Sequence, residues 1–229
     1  MWCGRPACSS FLILQSIFEH VSLNKPINSR FGSLKSRGEL PHLYVEGGTY
    51  FVTFRLFDAI VPSSDRGSKQ PANRVDADSD DPVILLEEYD PPITLGCCML
   101  AQPPLAAIVQ NAIRHFDAER YELIAWCVMP NHVHVIFAPL HGYAPNQILH
   151  SWKSFTAHTI NKQLNRSGPF WERESFDHLV RNMRSLERLI RYTEDNPATA
   201  GLCRVASEWP YSSRTVHLQN NEQSRPRPS

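Results

Sequence analysis

The chain switches between two hydrophobic periods. Thr49-Tyr50-Phe51-Val52-Thr53-Phe54-Arg55-Leu56, entered through Gly47-Gly48, is dense in β-branched and aromatic residues and reads as a core strand. From Pro104 to Phe116 the period lengthens: Leu105, Ile108, Val109, Ala112, Ile113 and Phe116 recur at spacings of three and four, which predicts an amphipathic helix with proline in its first turn. Residues 121–128 and 132–138 return to strand character, and Pro130-Asn131 between them supplies the turn of an antiparallel hairpin. Residues 145–164 predict a second helix whose apolar stripe is Ile148, Leu149, Trp152, Phe155, Thr159 and Ile160, ended by Arg166-Ser167-Gly168-Pro169. A third helix is expected over 186–195, with Ser185 as N-cap, Pro197 closing it, and Leu186, Leu189, Ile190 and Thr193 as its buried stripe. Strand, helix, strand, strand, helix in this order predicts an α+β sandwich, an antiparallel sheet with helices packed on one face.

Between these elements lie segments with no period. Residues 63–82 are rich in Ser, Gly, Pro and Asp and read as a flexible insertion; residues 1–40 read as an N-terminal extension, poorly ordered or one helix, and 216–229 as a disordered tail. The expected domain therefore runs from 41 to 215, and 229 residues suffice for one full core. The apolar run Phe11 to Phe18 is too short to span a membrane and carries no small-residue cleavage site. Six cysteines, at 3, 8, 97, 98, 127 and 203, form no Cys-x-x-Cys knuckle and no secreted disulfide framework, so a cytoplasmic protein without a membrane role is expected.

Formal charge sums to zero, with 23 basic and 23 acidic residues, but the distribution is uneven. Acidic residues crowd 76–90, whereas Lys153, Lys162, Arg166, Arg173, Arg181, Arg184, Arg188 and Arg191 make the later half locally basic, a distribution suited to a nucleic-acid face. The candidate chemistry sits in Met129-Pro130-Asn131-His132-Val133-His134-Val135-Ile136-Phe137. Residues i and i+2 of a strand share a face, so His132 and His134 project together, as a pair of metal ligands or as polar residues on a wet face. On the third helix Arg188, Tyr192 and Asn196 follow one another at i+4, off the apolar stripe, so that a guanidinium, a phenol and an amide share a face suited to a phosphate. Trp152 falls at core spacing, while Phe170 and Trp171 could equally pack or stack on bases.

Read in order, Trp126 through Val135, Trp152-Lys153-Ser154-Phe155-Thr156-Ala157, Phe170-Trp171, Phe176-Asp177, and Tyr192 through Asn196-Pro197 to Leu202 resemble the single-tyrosine HUH transposases, and within them the REP-associated tyrosine transposase branch. That resemblance implies an RRM-like, ferredoxin-like sandwich with the two histidines on a central strand. It implies His132, His134 and Asn196 as ligands of a divalent metal, Mg²⁺ or Mn²⁺, and Tyr192 as the nucleophile. It further implies cleavage and strand transfer at single-stranded DNA hairpins or palindromic repeats through a 5′-phosphotyrosine, by a monomer more readily than a dimer. Lys153, Lys162, Arg166, Arg173 and Arg188 would meet phosphates, and Phe170 and Trp171 would meet bases. Two other functions fit the same residues: a domesticated hairpin-binding protein that no longer cleaves, and a metal phosphohydrolase that activates water.

Overall fold

The computed structural model describes residues 33–36, 41–59 and 96–216. Its centre is a four-stranded antiparallel sheet in the order β4-β5-β3-β6, built from β3 (Thr49–Arg55), β4 (Tyr121–Val128), β5 (His132–Pro139) and β6 (Phe176–Val180). Three helices accompany it: α1 (Pro103–Arg114), α2 (Pro145–Gln163) and α3 (Met183–Thr199). Two short strands, β1 (Ser33–Ser36) and β2 (Pro41–Tyr44), pair separately and antiparallel. Residues 33–36 thus form a strand where the sequence led us to expect disorder or helix; four residues are too few to show a period. The expected apolar run at 11–18, the insertion at 63–82 and residues 217–229 of the expected 216–229 tail lie outside the described residues; Val216, the first residue of that tail, is instead helical and packs against the core.

The α+β sandwich is as expected, but its helices occupy both faces of the sheet. Val52, Phe54, Val133, Val135 and Phe137 face α1 and α2, meeting Leu105, Val109, Ile113, Ile148, Trp152 and Ile160. The alternate residues Phe51 and Ile136 face α3 and meet Leu186 and Leu189. The reason is visible in the strands: β3 and β5 are buried almost without interruption, and a strand apolar on both sides needs cover on both.

Tyr121 and Trp152 fix α2 to the sheet. The Trp152 indole N–H donates to the Tyr121 hydroxyl at 3.0 Å, and that hydroxyl donates to the carbonyl of Ile113 at 2.6 Å. The buried stripe of α2 is Ile148, Trp152, Thr156 and Ile160, a strict i+4 row, so Phe155 falls outside it and is 58% exposed. Phe170 and Trp171 are core residues, with Trp171 stacked edge-on against Phe54 and donating its indole N–H to Thr156 Oγ1. Neither ring is open to stack on a base, which corrects that expectation: the loop's apolar pair fills the end of the same core that its sequence neighbours line.

α3 starts earlier and ends later than its sequence suggests. Its N-cap is Asn182, whose side-chain oxygen accepts the Ser185 N–H at 2.8 Å; Ser185 itself is buried inside the first turn. Pro197 lies within the helix, which continues to Thr199, because a proline near the C-terminal end forfeits one hydrogen bond without ending the turn it sits in. β6 was not apparent in the sequence, since Phe176–Val180 alternates too weakly to stand out. The outer edge of β4 is covered by residues 211–213, through a Cys127–Ser212 bridge and a Val128 N–H to Tyr211 carbonyl bond of 2.8 Å.

The cap of α3 yields a stability test. Asn182→Ala removes the acceptor for the Ser185 N–H and is expected to cost about 1 kcal/mol in denaturant unfolding, whereas Asn182→Ser keeps most of it.

Candidate active site

β-sheet register builds the site. In the β3–β5 pair Thr53 stands opposite His134 and Arg55 opposite His132, so the four side chains share the sheet face that α3 partly covers. His132 and His134 are 2% and 0% exposed, so the wet-face reading of this pair does not hold. Their Nε2 atoms lie 3.0 Å apart.

Each imidazole is fixed at its other nitrogen. His132 Nδ1 lies 2.8 Å from Asn131 Oδ1, an acceptor, so Nδ1 carries the hydrogen and the neutral ring presents a lone pair at Nε2. His134 Nδ1 lies 2.8 Å from Thr53 Oγ1, whose hydroxyl can donate or accept and so serves either tautomer. Phe51 stacks on the His134 ring at 5.6 Å between centroids and keeps it from turning. Sequence reasoning missed Thr53 and Asn131; the Pro-Asn turn and the strand were both legible, but their pairing register was not.

α3 brings its face to the same point. The Tyr192 ring is 5.6 Å from the His134 ring and 6.4 Å from Phe51, edge-on to both, and Asn196 Nδ2 lies 3.3 Å from His134 Nε2. Histidine strand and tyrosine helix therefore meet within one chain. Two residues beyond Tyr192, the buried carboxylate of Glu194 accepts from Ser213 Oγ at 2.9 Å and pairs with Arg214 at 3.1 Å, which ties the helix to the covering segment of β4. Arg188 lies exposed one turn before Tyr192.

The donor set suits a divalent ion. Two nitrogens on one ion, with bonds of about 2.1 Å, must lie within about 4.2 Å of each other, and the 3.0 Å separation meets that without backbone movement. Among the described residues no third His, Cys, Asp or Glu joins them. A further protein ligand would come from an amide, and Asn196 already reaches His134; turning its amide presents the oxygen in place of the nitrogen.

Most of the expected DNA contacts gather elsewhere. Lys153, Phe170, Trp171 and Arg173 line a cleft of about 780 Å³ beside α2, on the sheet side opposite α3. Lys153 is turned inward, donating to the carbonyls of Glu172 and Arg173 at 2.7 and 3.0 Å, so it fastens the 170–175 loop. Arg166 leans over Phe170, with contacts to Met99 Sδ and the Pro169 carbonyl; it, Lys162 and Arg173 are exposed. Of the expected contacts only Arg188 stands on the helix that carries Tyr192.

The family model described as Transposase IS200 like matches residues 102–196. The matched segment holds the paired histidines and the helical tyrosine on which the resemblance in the motifs rests. Among individual proteins, the chain is similar to the REP-associated tyrosine transposase of Escherichia coli (strain K12), 26% identical over 109 residues that cover 46% of this chain and 62% of that one. A Haemophilus influenzae protein, given the same description provisionally, is 28% identical over 103 residues, 41% of this chain and 58% of that one. The chain thus spans about six-tenths of the length of these curated relatives. A solved REP-associated tyrosine transposase bound to a REP hairpin shares the fold, with a TM-score of 0.51, 21% identity, and coverage of 82% of this chain and 88% of that one. No helix among the described residues is long and apolar enough to cross a membrane.

Lys153 carries a pH signature. Burial pulls its ammonium down to about 8, against the opposing pull of Glu172 and Glu174. Between about pH 8 and the ordinary lysine value near 10.4 the unfolded chain binds more protons at this site, so its contribution to stability rises with pH over that window. Melting temperatures of wild type and Lys153→Met, compared at pH 7.5 and 10, should show wild type gaining relative to the variant at the higher pH.

Proposed function

We propose that this protein nicks and rejoins single-stranded DNA at hairpins formed by palindromic repeats, using Tyr192 as nucleophile and a divalent cation, Mg²⁺ or Mn²⁺, held by His132, His134 and Asn196. The observation that carries this reading is that the Tyr192 ring and the Asn196 amide both reach His134 in the same chain. The likeness to a REP-associated transposase solved with a REP hairpin supports the choice of DNA structure. His132, His134 and Asn196 would hold the ion, which when bound would supply positive charge to polarise the phosphoryl group and favour the ionised phenol.

The chain's own residues do the rest. Tyr192, standing beside His134 on an anchored helix, meets the phosphorus with its phenolic oxygen; the P–O3′ bond breaks, the 5′-phosphate stays on the tyrosine and a 3′-hydroxyl leaves with a proton. Because the phosphoester is preserved in the protein link, a second 3′-hydroxyl can attack it and restore a phosphodiester without ATP. Arg188, exposed one turn away on the same helix, adds positive charge for the strand to follow. Thr53 and Asn131 hold each imidazole with Nε2 toward the other, the arrangement a shared ion needs. A single chain holds every named group, which favours a monomer.

Incubation with an end-labelled single-stranded hairpin oligonucleotide and Mn²⁺, followed by a denaturing gel, should give a covalent adduct that Tyr192→Phe abolishes. Cleavage that survives Tyr192→Phe would point to water as nucleophile, and a gel shift without cleavage to a binding module. Thr53→Val should weaken Mn²⁺ binding by about 10-fold to 100-fold in calorimetry, while Thr53→Ser stays near wild type.

A further inference from the structure

We propose that Arg55, held in place by Glu172, is a phosphate-positioning residue of the histidine face; this rests on the single-stranded DNA reading above and deepens it. Arg55 is the β3 residue in direct register with His132, and it lies on the same face as Thr53, two residues before it, which touches His134. Directly opposed strand residues have Cβ atoms about 4.5–5.5 Å apart, so the arginine rises from the sheet beside the histidine pair. Its guanidinium pairs with the Glu172 carboxylate through Nε, and through Nη2 at 3.3 Å. The two side chains are only 16% and 15% exposed. A cation so placed is screened less than one in open water and is oriented before any ligand arrives.

The ion pair is not what fastens the loop that carries Glu172. Other ties hold that loop, among them the Leu56–Trp171 bridge, the Glu172 N–H donated to the Arg55 carbonyl at 2.9 Å, and the Lys153 ammonium on the Glu172 carbonyl at 2.7 Å. The main chain of Glu172 is thereby fixed independently of its carboxylate, and the carboxylate sets the plane of the guanidinium. An arginine fork in a fixed plane is suited to a phosphodiester, which accepts hydrogen bonds from two nitrogens at once. Of the other cations expected to contact DNA, Arg188 stands on α3, whereas Lys153 is folded onto carbonyls on the α2 side and Lys162 and Arg166 lie toward the end of α2, in the opposite layer.

The test is a salt titration of binding by the 229-residue chain in a Tyr192→Phe background, which prevents adduct formation. The probe is a fluorescein-labelled single-stranded hairpin oligonucleotide with Mn²⁺ present. Arg55→Gln should weaken binding about tenfold at 0.1 M salt and reduce the slope of log K against log salt by about 0.7, the value of one lost phosphate contact on a single strand. Arg55→Lys should keep the slope. The double variant Arg55→Gln/Glu172→Gln leaves no uncompensated carboxylate, protecting folding, and should keep the reduced slope. An unchanged slope in Arg55→Gln, or a slope restored in the double variant, overturns the proposal, because the loss then came from a bared Glu172 or from structure alone. A parent that binds no hairpin overturns the DNA reading itself, and this proposal with it.

Discussion

Thr53 and His134 face each other across two paired strands, and that single register positions the rest of the site. One residue of slip would turn His132 and His134 into the core beneath α1 and α2 and push Val133 and Val135 out beneath α3. The apolar load on both faces of β3 and β5 forbids it: Phe54, Val133, Val135 and Phe137 have partners on one side, Phe51 and Ile136 on the other. The core therefore specifies where the polar groups stand. Two imidazoles can be wholly buried here because each has a hydrogen-bond partner at Nδ1, and buried polar groups are tolerated on that condition.

The helix opposite is held by a different kind of contact. Leu186 and Leu189 give α3 its burial, while Glu194, Ser213 and Arg214 fix its position along the sheet. A buried carboxylate is costly unless paired, so the C-terminal segment and the helix are each incomplete without the other. Tyr192 stands between the apolar stripe and this polar anchor, close enough to both for its ring to be oriented by packing against Phe51 and His134.

Much of this was legible in the residues. The spacing of His132 and His134 gave their common face, and the i+4 series Arg188, Tyr192, Asn196 gave theirs, because both depend only on local period. What local period does not carry is partnership. Thr53 and Arg55 became part of the site through a pairing 81 and 77 positions removed from His134 and His132, and nothing in a threonine within a run of β-formers marks it. The distribution of helices over both faces was hidden for the same reason, as was the covering role of Phe170 and Trp171. Asn196 was obscured by its neighbour: proline at 197 reads as a stop in the sequence, yet the helix absorbs it and keeps the amide in line with Tyr192.

The sheet order holds one more consequence. The segment that matches the family model begins at residue 102, but the strand between β5 and β6 is β3, which comes from residues 49–55. A fragment trimmed to the matched segment would contain both histidines, the tyrosine and the asparagine, yet it would have a slot in the middle of its sheet. β5 and β6 would each expose a row of unpaired amides and carbonyls toward the gap, with apolar side chains above and below it. Such a slot is a template for any extended chain, including another copy of the fragment. The residues that match the family model are thus only part of what closes the sheet, and the domain's true unit reaches back across the intervening segment to its central strand.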